Sequence, residues 1–168
     1  SDCVAIGKGT MMNCTGTDSV AIGASALDGS ADSDQCVAIG SLSLSSNNSA
    51  SANGNVGVGY ASMFSCTSGS NNTAIGRNVA GGITTAQNCV VIGKDANVSA
   101  ADVDNEIVIG KGAAGNGSNT VTLGNSSISA IHCQVQSISA LSDSRIKENV
   151  QDSALGLDFI NALRPVKY

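Results

Sequence analysis

The sequence predicts an all-β fold, a parallel β-roll in which short strands stack coil upon coil. Three observations carry that prediction. A tetrapeptide recurs eight times: "VAIG" at 4–7, 20–23 and 37–40, "VGVG" at 56–59, "TAIG" at 73–76, "VVIG" at 90–93, "IVIG" at 107–110 and "VTLG" at 121–124. The closing glycines follow one another at 16, 17, 19, 17, 17, 17 and 14 residues, a nearly fixed period. The chain is also poor in bulk, with 2% aromatic residues, no Trp and 20 Gly. A compact globule of this length would carry more large side chains, so regularity must replace them.

Each tetrapeptide reads as a strand, because β-branched residues alternate with a small one and Gly ends the run. Alternation sends the first and third positions, such as Val4 and Ile6 or Val90 and Ile92, to one face and the small second position to the other. The branched pair is expected to form the core, and the small-residue face is expected to pack against another chain. A core of two large side chains per coil is thin against the entropy of ordering the chain, so an obligate oligomer is expected. The connecting segments, such as "ASALDGSADSDQ" and "SLSLSSNNSASANGN", are rich in turn formers. Their short alternating pieces are expected to supply a second strand per coil.

The repeat, exemplified by "SVAIGASA" at 19–26, resembles the head repeat of trimeric autotransporter adhesins, which also occurs in phage fibres. The resemblance covers residues 3–124 in eight copies. It implies a left-handed parallel β-roll, with three rolls packed about a common axis as a homotrimer. The period here is longer than in the bacterial repeat, cysteines are added, and neither a coiled-coil stalk nor a membrane anchor is evident.

The eight-repeat roll is placed at 1–124 and a β neck at 125–142, where "NSSISAIHCQVQSISAL" alternates without a repeat unit and slips phase near Ala130 and Ile131. From 143 to 168 the composition changes: charges, an amphipathic pattern and the single Pro arrive together. Ser142, Asp143, Arg145, Lys147 and Asn149 of "SDSRIKEN" are similar to the S-D-x-R-x-K-x-N opening of the intramolecular chaperone domain of endosialidase-type phage tail proteins. "LGLDFINALRPVKY" is similar to the segment that follows it. That piece reads as a helix capped by Asp152 or Ser153, burying Leu155, Phe159, Ile160 and Leu163 and stopped by Pro165.

This second resemblance implies a self-cleaving aid to trimer assembly. Carried onto this chain, the cut bond is Ser142–Asp143, with Ser142 as nucleophile and Lys147 as base, and Asp143 and Arg145 as further motif residues. A Ser hydroxyl needs an adjacent base, and a Lys serves only when burial or neighbouring cations lower its pKa. Such a reaction is a single turnover within the chain, with no activity on other substrates.

Among the six cysteines, Cys3, Cys36 and Cys89 stand immediately before a strand, while Cys14 and Cys66 each follow a strand Gly by seven residues. Cys3 and Cys14 share one coil and form the best candidate disulfide; small buried hydrophobes are the plain alternative for all six. No C-x-x-C spacing points to zinc, and no cofactor or metal is expected. His132, the sole histidine, is expected to pack in the neck or face solvent, in preference to holding an ion on a threefold axis. Lys8, Arg77, Lys94 and Lys111 each follow a strand Gly, and with Asp95, Asp102, Asp104 and Glu106 nearby the expectation is a solvated, mixed-charge face.

The net charge of −5 argues against nucleic acid, and no apolar run of eighteen residues is available to span a membrane. "SDCVAIGKGT" lacks the layout of a signal peptide and opens in mid-pattern, as a piece of a longer chain would. Glycoside hydrolysis would need facing carboxylates and aromatic platforms, which the composition disfavours. The expected function is therefore a structural or receptor-contacting segment of a trimeric viral fibre or tailspike in the virion. Its partners would be its own copies, other virion tail proteins and a host surface receptor or glycan, without nucleic acid or membrane insertion. The alternative is the head of a bacterial trimeric adhesin at the cell surface.

Overall fold

The computed structural model of the chain describes residues 2–29, 33–132 and 134. Two compact units divide the chain, Ser1–Ala130 and Ile131–Tyr168, and the architecture that follows belongs to the first. Eight three-residue strands, β1 (Val4–Ile6), β2 (Val20–Ile22), β3 (Val37–Ile39), β4 (Val56–Val58), β5 (Thr73–Ile75), β6 (Val90–Ile92), β7 (Ile107–Ile109) and β8 (Val121–Leu123), form one sheet in sequence order. All pairs are parallel, and the register stacks like on like: Val4 on Val20, Ala5 on Ala21, Ile6 on Ile22, and so on up the sheet. Each coil therefore adds one strand, which is the solenoid the period predicts. No helix occurs among the described residues.

The faces of the strands are the reverse of the expectation. The middle residue points inward: Ala21, Ala38, Ala74, Val91 and Val108 are fully buried. The branched first and third residues point outward, half-buried or exposed, with Ile75 at 42% and Ile109 at 38%. Geometry explains the inversion. Along β2 to β5 the far wall of the coil closes tightly on the strand and the space between holds Ala or Gly, whereas at β6 and β7 it takes Val. Leu27, Leu44 and Met63, all fully buried, come across from that wall and fill what the alanines leave. At β4 even a methyl group is too much, since a Cβ on Gly57 would stand 2.7 Å from Ser43 Oγ and 3.3 Å from Leu44 Cγ.

The expected second strand per coil does not form either. Among the described residues only isolated parallel bridges, Ser70–Gln87–Asp104 and Asn97–Ala114, occur outside the eight strands. Left-handed residues interrupt extension at fixed places. Ser25, Leu42, Ala61, Asn78 and Asp95, each two positions after a strand Gly, have φ between 51° and 61°. Leu27, Leu44, Met63 and Ala80 repeat the device two residues further on. Every such residue turns the chain, while its amide still bonds to a neighbouring coil, as in Leu42 N–H to Ala24 O at 3.0 Å and Leu44 N–H to Ser62 O at 2.9 Å.

The strand-ending glycines are required twice over. Gly23 has φ 131°, a backbone state closed to L side chains, and a Cβ there would lie 2.6 Å from the carbonyl carbon of Gly40 in the next coil. The same close approach recurs from Gly40 to Gly59 and from Gly76 to Gly93. The tetrapeptide is thus a corner as well as a strand.

Candidate functional site

Three features of the roll could carry function: the outward face of the sheet with its two edges, a polar column inside the coil, and the thiols. The outward face is a ladder of Val and Ile side chains one residue deep on either side of the buried alanines. Parallel in-register pairing makes it continuous from Val20 and Ile22 to Ile107 and Ile109. Thr73 is the one polar side chain in this stretch of the ladder, and scattered single hydrophobes do not line up this way.

The two edges of the stripe differ in charge. Immediately after each strand Gly comes an outward position, and all four Lys and Arg of the described residues stand there: Lys8, Arg77, Lys94 and Lys111, all exposed. Tyr60 occupies the same column, and the Arg77 guanidinium lies over its ring at 5.6 Å. The one acid on this edge, Asp95, pairs with Lys94 at 2.7 Å and accepts from Asn78 Nδ2 at 3.2 Å. Those contacts hold its carboxyl below the ordinary value, the Lys94 ammonium foremost. On the opposite edge, two or three residues before the strands, stand Asp2, Asp18, Asp34 and Asp104 and no cation. Asp34 Oδ1 accepts from the Thr17 amide at 2.6 Å, and Asp104 Oδ1 accepts from Asn88 Nδ2 at 2.7 Å. The expected mixed-charge face is met at Lys94 and Asp95, exposed and paired, while Asp104 stands on the opposite edge.

Inside, the residue just before each of β2 to β7 builds a column: Ser19, Cys36, Asn55, Asn72, Cys89 and Glu106, all fully buried. Asn55 Oδ1 accepts from the Asn72 amide at 3.0 Å, and Asn72 Oδ1 accepts from the Cys89 amide at 3.0 Å. Their Nδ2 groups donate to Gly69 O and Ala86 O, each at 2.7 Å. Glu106 closes the series: its carboxylate accepts from Ser99 N at 3.0 Å, Ser99 Oγ at 3.2 Å and Gly117 N at 2.8 Å. Grouping Glu106 with the solvated acids is therefore corrected, since it is a coil-closing acceptor sealed from water. A column fully engaged with backbone is structural, and it offers nothing to a ligand.

The five described cysteines carry free thiols. Cys3 and Cys14, the candidate disulfide, are half-buried, and Cys3 Sγ donates to Gly16 O at 3.5 Å. Cys36, Cys66 and Cys89 are buried, and burial pushes their thiols up, Cys66 to about 11. A thiol held protonated by desolvation is a packing group. His132 is exposed. Ser142, Asp143, Arg145 and Lys147, the proposed cleavage site, lie outside the described residues, as do Cys133 and the expected helix of the tail. Among the described residues no three His, Cys, Asp or Glu side chains converge to hold a metal.

The polar column and the left-handed corners escaped the sequence reading. Their signals were present: a residue of Ser, Cys or Asn type before most strands, and Asn71, Asn88, Asn105 and Asn119 two positions before four of them. Asn is the L-residue that best tolerates the left-handed state. No family model, curated protein or solved structure matches this chain.

Proposed function

We propose that the chain is the β-roll segment of a homotrimeric viral fibre or tailspike, followed by the opening of an intramolecular chaperone that gathers the three chains. The observation that supports assembly is the uncovered Val/Ile stripe on the outer face of the sheet. The interior is filled by the middle strand residues together with Leu27, Leu44 and Met63, and the outward Val and Ile are left over for something else to cover. Copies of the same chain present a surface of matching length and spacing. The number three and the viral setting rest on the resemblance of the repeats and of "SDSRIKEN" to their families. In this reading the segment is a stiff shaft, and Ser142 and Lys147 cut the Ser142–Asp143 bond once assembly is complete.

Light scattering and intact mass on one preparation test both parts. The parent should run at three chain masses, and Val90→Asp with Ile92→Asp should fall to one chain mass while keeping its β circular dichroism. A C-terminal piece should be lost from the parent and retained in Ser142→Ala and Lys147→Ala. A folded monomeric parent removes the assembly, and equal intact masses in all three chains remove the self-cleavage.

A further inference from the structure

The segments that connect the strands repeat one backbone device and then break it off. After β4, the amides of Thr67, Ser68 and Gly69 all donate to Thr84 O, at 3.0, 3.0 and 3.1 Å, and Thr67 Oγ1 adds a fourth bond at 3.2 Å. After β5, the amides of Thr84, Thr85 and Ala86 converge in the same way on Ala101 O, at 3.1, 3.0 and 3.0 Å. Successive N–H groups aimed at one point form a concave nest for an oxygen. The third member of the series, after β6, is Ala101, Asp102 and Val103. Their amides donate to no neighbouring coil.

The coil above is too short to supply the oxygen. Gly110 and Gly124 are 14 residues apart, where the three preceding spacings are 17. The loss falls in one place. Asn97 still pairs with Ala114, and the Asp104 amide reaches Ser118 Oγ at 3.0 Å, so seven steps of the lower coil face four of the upper. The carbonyl that would fill the third nest belongs to the residues left out. Gly117 turns its amide inward instead, to Glu106 Oε1 at 2.8 Å. Ala101 and Asp102 are exposed, so the nest opens to solvent.

Charge decides which oxygen suits it. Asp102 and Asp104 are exposed beside the nest, Glu106 is buried close by, and no Lys or Arg stands between Lys94 and Lys111. A phosphate or a free carboxylate would enter a negative field. A peptide carbonyl is neutral, and both filled nests hold one. An extended peptide can also set a basic side chain against Asp102 and Asp104 while its backbone adds to the open edge.

We propose that the gap above Ala101, Asp102 and Val103 is a docking site for a short, extended, basic segment of another polypeptide. One backbone carbonyl of that segment takes the three amides, and a Lys or Arg beside it pairs with Asp102 or Asp104. The site does not depend on the assembly proposed above.

Amide NMR on the full, isotope-labelled chain tests it, with a blocked Ala-Arg-Ala tripeptide as the probe. Titration through the millimolar range should shift the Ala101, Asp102 and Val103 resonances together and saturably. Those of the filled nests, 67–69 and 84–86, should stay in place. Asp102→Lys should weaken the probe about 3-fold, less at high salt, and make a blocked Ala-Glu-Ala tripeptide the better ligand. Three resonances that ignore both tripeptides would mean that water satisfies the nest, and the proposal falls. If inorganic phosphate moves them and the tripeptides do not, the site is an anion nest and the peptide partner is wrong.

Discussion

Asn72 shows how a single side chain can hold two coils at once. Its Oδ1 takes the Cys89 amide of the coil above, its Nδ2 reaches Ala86 O, and its own amide leans on Asn55. Replacing it by Leu, which has nearly the same shape, keeps the volume and leaves a buried amide and a buried carbonyl without partners. Orphaned groups of this kind cost far more than the net value of a hydrogen bond, so Asn72→Leu should destabilise the roll by about 2–4 kcal/mol. Urea unfolding of the two chains checks the value. A loss below about 1 kcal/mol would mean that water or a backbone shift satisfies the column. Asn71, one residue earlier, is exposed at φ 57°, and there the amide matters chiefly because it tolerates the left-handed turn. Adjacent asparagines thus have unrelated physical jobs, and their letters alone do not tell them apart.

At the scale of the strand, existence and limits were legible because alternation and a terminal Gly are local signals. Which face turned inward was not. Alternation divides the residues into two sets without naming the inner one, and the usual weighting by size chose Val and Ile. Coil width settled the matter: the opposite wall, with Leu44 and Met63, stands too near for a branched residue at most middle positions. Gly57 is the sharpest case, since its backbone is extended and any residue could adopt it, yet Ser43, Ser62 and Leu44 crowd the place of a Cβ. Strand propensity says Gly57→Ala should stabilise, by removing the entropic cost of glycine. Packing says the reverse, and overpacking by one methyl group is the larger effect. We expect Gly57→Ala to lower stability by about 1–3 kcal/mol, read from the midpoint of chemical unfolding. A raised midpoint would show that the β4 coil has room, and with it that the inward Ala column is a preference and not a limit. The candidate cleavage site was legible only as a motif, and the sorting of charge only after the strands had been stacked.

For the whole molecule, each coil touches the one before and the one after, so stability should be a sum of coil and junction contributions. The cooperative unit is then the full period and nothing shorter. Gly76 and Gly93 are 17 residues apart and stand at equivalent corners, each followed two residues later by a left-handed residue, Asn78 and Asp95. Deleting 77–93 joins Gly76 to Lys94 and leaves seven strands with the stripe and both edges in phase. Asn72 then meets the amide of Glu106 in place of that of Cys89, and a backbone N–H serves equally well at either residue. Deleting only 77–85 instead throws every later Val and Ile off the outer face and every later Gly off its corner. The first deletion should keep the β circular dichroism per residue and melt cooperatively, about 5–10 °C below the parent. The second should lose cooperative melting altogether. Equal damage from both would mean that the roll folds as one indivisible body, with long-range contacts that no stack of neighbours contains.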